Sequence, residues 1–431
     1  MVGKTKKSSL ILSDLNDDVL CIIFDYCSLD DLLNLFYVCK RFQAIIRRST
    51  FLRRSLDLLL VGHRNQNAIS YQRTIQNLSY HKRVKVFQNW CYGRYEEHIL
   101  FHQSQFNPSK IFLEKEFLYK SHSGQLRKFA RSKRHGEILY RRPIETYGEV
   151  RDADITSLSK TDGTIFIGRR NGRVKIISVD GNDENDPIDE TNVSSNAYSG
   201  QRVESIDFSG DLFATSTLQR AALWQKRYEL DMPYLDTVAE LGEGFKCIRF
   251  SPNVDRMAMG KYKDASRRGL SLVDVATNDV SPLASDTSSI YDLQWKDNDV
   301  ILTGHYDTTF RLFDCRTNCD ELIWLDPYDL AIYSISYDGN FGVLCGMKYH
   351  CRVNLYDLRV PNKYIQLYFP KQRFRGAKGI SSPAYQVVND QSQLFIATDY
   401  NLRVLDFDAD WAESKDYTNI FVHEMIVNAS S

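Results

Sequence analysis

Two hydrophobic periods divide this chain. Through residue 96 the apolar positions recur at helical spacing, and beyond it they alternate with polar ones. In the stretch 12–51, Leu15, Val19, Ile22, Ile23 and Tyr26 predict one short amphipathic helix, with Asp14, Asp17 and Asp18 at the positive end of its dipole. Ser28 and Asp31 form a capping box ahead of Leu32, Leu33, Leu35 and Phe36, which starts a second helix. Val38, Cys39, Phe42, Ile45 and Ile46 supply a third stripe, with Lys40, Arg41, Arg47 and Arg48 left for water. Three helices in about forty residues bury too little surface to offset their conformational entropy, so part of this apolar surface needs something else to cover it. Leu56, Leu59, Leu60, Ile69, Ile75, Leu78, Val84 and Phe87 then predict further helices leading into the alternating region.

From about residue 97 the chain reads as short strands broken by turn signals such as Asp162-Gly163 and Asn171-Gly172. A cycle of roughly 40 to 50 residues recurs, which is the length of a four-stranded repeat. Its third strands align at 126–130, 174–178, 221–225, 270–274, 310–314, 353–357 and 402–406. Val273-Asp274, Phe313-Asp314, Tyr356-Asp357 and Leu405-Asp406 stand where WD repeats carry Trp-Asp, and Trp224-Gln225 keeps the other half. The region therefore resembles a WD-repeat β-propeller with degenerate blades, seven of them, the first at 106–146 being the faintest. A strand near His98–His102 or a segment near 419–423 is available to close the ring.

The N-terminal stretch resembles the F-box family. The resemblance rests on Leu15, Asn16, Asp18, Val19, Leu20, Ile23, Phe24, Tyr26, Asp31, Leu32, Val38, Cys39, Lys40 and Phe42, in order and spacing. Asn16 stands where that family usually has proline, Asp18 where it has glutamate, and Cys27 where it has leucine. Further on, Asn89-Trp90 followed by Gly93-Arg94-Tyr95 looks like the segment entering the propeller in dactylin-type F-box/WD-repeat proteins. The fold class expected is multidomain, α plus all-β. Residues 1–11 would be a flexible N-terminus, 12–55 the F-box, 56–96 a helical linker, 97–424 the propeller and 425–431 a tail.

What the resemblance implies is a non-catalytic subunit of an SCF-type ubiquitin ligase. Its F-box would bind a Skp-type adaptor, and through it a cullin, by inserting Leu15, Leu20, Ile23, Phe24, Leu29, Leu32, Val38 and Cys39 into a partner groove. Its propeller would hold the protein to be ubiquitinated. Strand order puts second-to-third-strand loops and blade-joining loops on one face, which collects Arg169, Arg170, Lys261, Arg267, Arg268, Tyr306, Lys348, Arg373 and Arg375. Guanidinium forks suit carboxylates or phosphates, so the substrate-binding expectation is an acidic or phosphorylated segment. Asp152, Asp154, Asp286, Asp326 and Asp329 fall in loops of the same face and dilute that positive charge.

Composition adds limits. The 431 residues carry 55 basic and 55 acidic side chains, so no overall field draws the chain to nucleic acid or an anionic membrane. Arg47 to Arg94 is locally basic, which leaves an alternative reading as a non-ubiquitin assembly scaffold touching RNA. Nine scattered cysteines suit reduced thiols and a cytoplasmic or nuclear setting, and no apolar run approaches a membrane span. His98 and His102 have the separation of paired zinc ligands on a helix, but Ile99 occupies the place of the needed glutamate. The polar excursion 180–200 lacks the glycine and bidentate glutamate of a calcium loop, and no glycine loop offers a phosphate cradle. No cofactor, metal or catalytic residue is expected.

Overall fold

The computed structural model describes residues 11–62, 68–75, 77–102, 108–134, 137–139, 142–161, 163–178, 200–229, 232–361, 363–370 and 382–409. Arg373, Arg375, most of the acidic excursion and the segment 419–423 lie outside them. The N-terminal pattern folds as its periodicity predicts, into α1 (Asp17–Tyr26), α2 (Leu29–Phe36) and α3 (Lys40–Ile45). A wider turn over Ile46–Thr50 carries α3 into α4 (Phe51–Arg54). Asn16, the residue in place of proline, caps α1 by accepting from Val19 N at 2.9 Å. The capping box of α2 forms, with Asp31 N donating to Ser28 Oγ at 3.1 Å and Ser28 N to Asp31 Oδ2 at 3.3 Å. After α5 (Ile69–Gln72) comes α6 (Tyr80–Tyr92), ended by Gly93 in the left-handed region at φ 62°, which a side chain would strain.

Seven sheets then follow in sequence. Their first strands are Ile111–Leu113, Ile155–Thr161, Ser205–Ser209, Cys247–Phe250, Ile290–Trp295, Ile332–Tyr337 and Gln386–Asn389. Each packs on the next, and the last on the first, so the seven form a closed ring of blades. Six blades have four strands and blade 2 has three among the described residues. Ring closure uses the first of the two expected segments: Glu96–His102 pairs antiparallel with Asn401–Asp406, from Glu96 opposite Asp406 to His102 opposite Asn401. His98 and His102 therefore sit on a strand, where four residues span about 13 Å, and not on one turn of a helix.

The repeated aspartate has a local cause. Asp274, Asp314, Asp357 and Asp406 end the third strands of their blades, and each Oδ1 accepts the N–H two residues on, of Ala276, Arg316, Arg359 and Asp408, at 2.9 Å in every case. The position before it holds the apolar core residue, Trp in ideal repeats and Val273, Phe313, Tyr356 and Leu405 here, all buried. In blades 1, 3, 5 and 6 the third strand meets the fourth through a bulge at the same place, Lys128/Phe129, Leu223/Trp224, Leu312/Phe313 and Leu355/Tyr356. Trp224 retains the indole bond of an ideal blade, donating to Thr215 Oγ1 at 3.0 Å.

One hydrophobic core runs from the helices into the propeller. Leu20, Phe24, Leu32, Phe36, Phe42, Ile46 and Phe51 join Val84, Trp90 and Tyr95, and these join Leu344, Leu355, Tyr368, Leu394 and Phe407 of blades 6 and 7. The entropy deficit of three short helices is met inside the chain. Polar ties lock the joint: Trp90 Nε1 donates to Gln391 O at 3.0 Å, Asn89 Nδ2 to Phe407 O at 2.8 Å, and Leu60 N to the Asp338 carboxylate at 3.1 Å.

Asp338 makes this joint pH-sensitive. Its carboxylate also accepts from Asn340 N at 2.7 Å and Gly342 N at 3.0 Å. Burial outweighs those donors and lifts its pKa from 3.8 to about 6. The folded state thus holds this proton more tightly than the unfolded chain, so the site's contribution to stability falls as pH rises from about 4 through about 6, and is level above. Urea unfolding across that window is expected to show a shallower decline for Asp338→Asn than for the native chain. Equal slopes would mean that Asp338 does not titrate there.

Candidate functional site: two opposed surfaces

Antiparallel strands put first-to-second and third-to-fourth strand loops on one face of a propeller, and the remaining loops on the other. The helices occupy the first face. Asp338 and Gln391 lie in first-to-second loops of blades 6 and 7, and Arg359, in the third-to-fourth loop of blade 6, donates to Asp57 O at 2.9 Å. The N-terminal helices α1 to α3 are held on α6 from the other side. Asp30 of α2 accepts from Gln88 Nε2 at 2.5 Å and from Tyr92 OH at 2.9 Å, while Phe36 stacks on His81 with ring centres 5.0 Å apart.

The helical surface differs from the sequence expectation. Leu20, Phe24 and Leu32 are completely buried in the chain's own core, so they are withdrawn as adaptor-docking residues; charged substitutions there would unfold the helices. Leu15, Ile23 and Leu29 are half-buried against that core. Val38 and Cys39 are exposed, Val38 at 64%. A second apolar face remains uncovered. On α1 it is Val19, Ile22 and Tyr26, spaced by three and four residues on one side, with Ile22 at 59% and Tyr26 at 89% exposure. Tyr37 and Val38, at the corner between α2 and α3, are exposed as well, at 68% and 64%. Arg41 draws that corner to the start of α1 by donating to the Asp17 carboxylate at 2.7 Å and to Leu15 O at 2.6 Å.

On the opposite loop face, Arg169 is corrected from a ligand-binding residue to an internal tie. Its guanidinium is buried, bonded to Gly124 O, Ala153 O and the Asp152 carboxylate at 2.7 to 3.0 Å, and fastens blade 2 to blade 1. Lys261 is likewise engaged, with Glu243 at 2.7 Å and Asp264 at 3.4 Å. Arg170 is exposed and lies 3.8 Å from Asp154. Two of the diluting acids are already paired. Asp152 is spent on Arg169, and Asp326 is fully buried against Arg352 at 2.5 Å. Lys263, Arg267, Arg268 and Lys348 remain with no carboxylate partner among the described residues, and Asp286 and Asp329 stay exposed nearby.

Sequence reasoning selected Tyr306 but missed the row it belongs to. Tyr291 and Tyr333, at the starts of consecutive first strands, stack 4.7 Å apart at 8°. Tyr306 stacks on Tyr291 at 5.8 Å, Tyr262 meets it edge-on at 5.7 Å, and Tyr385 continues the row 6.1 Å from Tyr333. Lys348 Nζ sits 5.0 Å above Tyr306 and 5.1 Å above Tyr349, and Lys263 Nζ 5.2 Å above Tyr262. The recurring signal was there, a tyrosine soon after the start of successive cycles. No group of three or more His, Cys, Asp or Glu that could hold a metal occurs among the described residues.

The linker's basic residues are largely used internally. Arg54 donates to Cys27 O and Asp25 O, Lys82 pairs with Asp408 at 2.7 Å, and Arg83 is buried.

Residues 12–54 match the F-box domain family, which is the unit that the exposed helical face belongs to. The chain carries an F-box domain ahead of a propeller of the WD40 fold. It is similar to F-box/WD repeat-containing protein 4 of Homo sapiens, 25% identical over 333 residues covering 76% of each chain. The Mus musculus protein of that name is 24% identical, covering 76% of this chain and 77% of the relative. Among solved structures, the WD40 beta propeller domain of Doa1 superposes with a TM-score of 0.52 at 12% identity, covering 72% of this chain and 96% of that domain, a likeness of fold. No helix among the described residues is long and apolar enough to cross a membrane.

Proposed function

We propose that this chain is the substrate-recognition subunit of an SCF-type ubiquitin ligase, working in the cytoplasm or nucleus. The observation that carries the reading is the uncovered face of the F-box. Its inner stripe is already sealed into the propeller core, yet Val19, Ile22, Tyr26, Tyr37 and Val38 stay in water, and exposed apolar patches of this kind serve as partner surfaces. A Skp-type adaptor would take that face and link the chain to a cullin. The loop face on the far side would hold the protein to be ubiquitinated, through the tyrosine row and the unpaired Lys263, Arg267, Arg268 and Lys348, which suit an acidic or phosphorylated segment. The chain itself would do no bond chemistry. Its continuous core sets the distance between the two surfaces and so raises the local concentration of substrate lysines near the ubiquitin carrier.

The test is a double substitution, Ile22→Asp with Val38→Asp, both at exposed positions. Adaptor affinity is expected to fall about 30-fold or more, the loss typical of removing a central apolar anchor, with circular dichroism and melting temperature unchanged. Undiminished co-purification of a Skp-type subunit with the doubly substituted chain would sink the reading.

A further inference from the structure

Between the F-box and the linker helix lies a cavity of about 340 Å³, lined by Arg47, Tyr71, Asn77, Leu78, Ser79, Tyr80 and Arg83. No acid is among these residues. Arg83 is only 4% exposed: its Nε donates to Leu78 O at 3.3 Å, its guanidinium lies 4.5 Å from the Tyr80 ring centre, and only its Nη1 is buried with no hydrogen-bond partner. A buried guanidinium nitrogen without an acceptor is destabilising unless something supplies one. Arg47, on the turn after α3, is exposed and has no carboxylate partner; its guanidinium lies 5.9 Å from the Phe36 ring centre.

The N-terminus of the 13-residue α6 lies at the same place. Ser79, its N-cap, makes no capping bond, because its hydroxyl turns to His81 Nδ1 at 2.9 Å. The positive end of the helix dipole is therefore left uncompensated beside two guanidinium groups. His81 registers the local surplus: burial first, then Arg47, Lys82 and Lys85, push its pKa below the ordinary value.

We propose that this cavity binds a small phosphate ester, its oxyanion held by Arg83 and Arg47 at the N-terminus of α6 and its apolar body lying against Tyr71, Leu78 and Tyr80. The volume is at the lower end of small-molecule sites, about 300 Å³ and upward, and exceeds what a bare anion fills. The walls come from both units, Arg47 from the F-box and the rest from the linker that grips blades 6 and 7. Occupancy would stiffen the joint that fixes F-box to propeller. The proposal does not depend on the ligase reading.

The probes are phenyl phosphate and inorganic phosphate, titrated calorimetrically into the full chain at constant ionic strength. Phenyl phosphate is expected to bind with a Kd of about 1 mM or tighter, and more tightly than inorganic phosphate. Arg83→Gln is expected to weaken it at least about tenfold, the range for one lost charge-assisted bond. Arg47→Gln, at an exposed position where folding is not at stake, is expected to do the same. Lys348→Gln, on the far face, is expected to change nothing. Absence of binding at about ten times that concentration, or affinity unaltered by Arg47→Gln and reduced by Lys348→Gln, would overturn the assignment.

Discussion

Replacing Trp90 with alanine is expected to destabilise the chain by about 3 to 5 kcal/mol, the upper range for truncating a buried aromatic residue. The side chain is completely buried. Its indole stacks on Phe407 at 3.5 Å, meets Tyr368 edge-on at 5.7 Å, and places its N–H on Gln391 O at 3.0 Å. Each of those partners belongs to blade 6 or 7 or the turns beside them, so one residue of α6 carries the seam between helices and ring. The effect should appear as lost cooperativity as well as lost stability. In urea, the native chain is expected to unfold its helical and propeller signals together, whereas Trp90→Ala separates far-ultraviolet ellipticity from propeller tryptophan fluorescence. Coincident transitions with an unchanged midpoint would contradict the seam.

Asp326→Ala is expected to be comparably damaging, about 3 to 5 kcal/mol, because it strands a buried cation. Arg352 and Asp326 are both fully buried and meet at 2.5 Å. The same carboxylate accepts from Asn354 Nδ2 at 2.9 Å, Tyr328 N at 3.1 Å and Leu330 N at 2.9 Å, so it organises the loop from blade 5 to blade 6 as well. Removing both charges together, as Asp326→Ala with Arg352→Met, should restore much of the loss, since no group then sits ionised in an apolar site. Thermal unfolding of the single and double variants measures this; a double variant no better than the single one would show that the damage comes from the loop bonds instead.

How far the chain could be read beforehand depended on whether the deciding interactions were local. Helix caps, hairpin turns and the strand-ending aspartates bond within a few residues of themselves, and the capping box at Ser28 and Asp31 and all seven third strands were legible. Leu20, Phe24 and Leu32 were misassigned because α1 and α2 are apolar on two sides, and periodicity does not say which side meets the chain's own core. The choice is made by α6 and by residues of blades 6 and 7, some three hundred positions away in sequence. Arg169 and Asp326 were misread for the same reason. Loop charges look solvated until the partner from a neighbouring blade is known, here Asp152 and Arg352. Tyr291 and Tyr333 pass for ordinary core residues until the ring sets them side by side.

The strand Glu96–His102 is synthesised before any blade, while its partner Asn401–Asp406 follows about three hundred residues later. Until the ribosome has delivered that strand, the seventh sheet cannot be completed and the outer rim of an incomplete arc presents unpaired amide and carbonyl groups. A nascent or prematurely stopped product would therefore be sticky at both ends, and its F-box would lack Leu394, Leu405 and Phe407 to rest on. Closing the circle and seating the helices draw on the same residues of blade 7, so an unfinished chain lacks part of the surface on which its F-box rests.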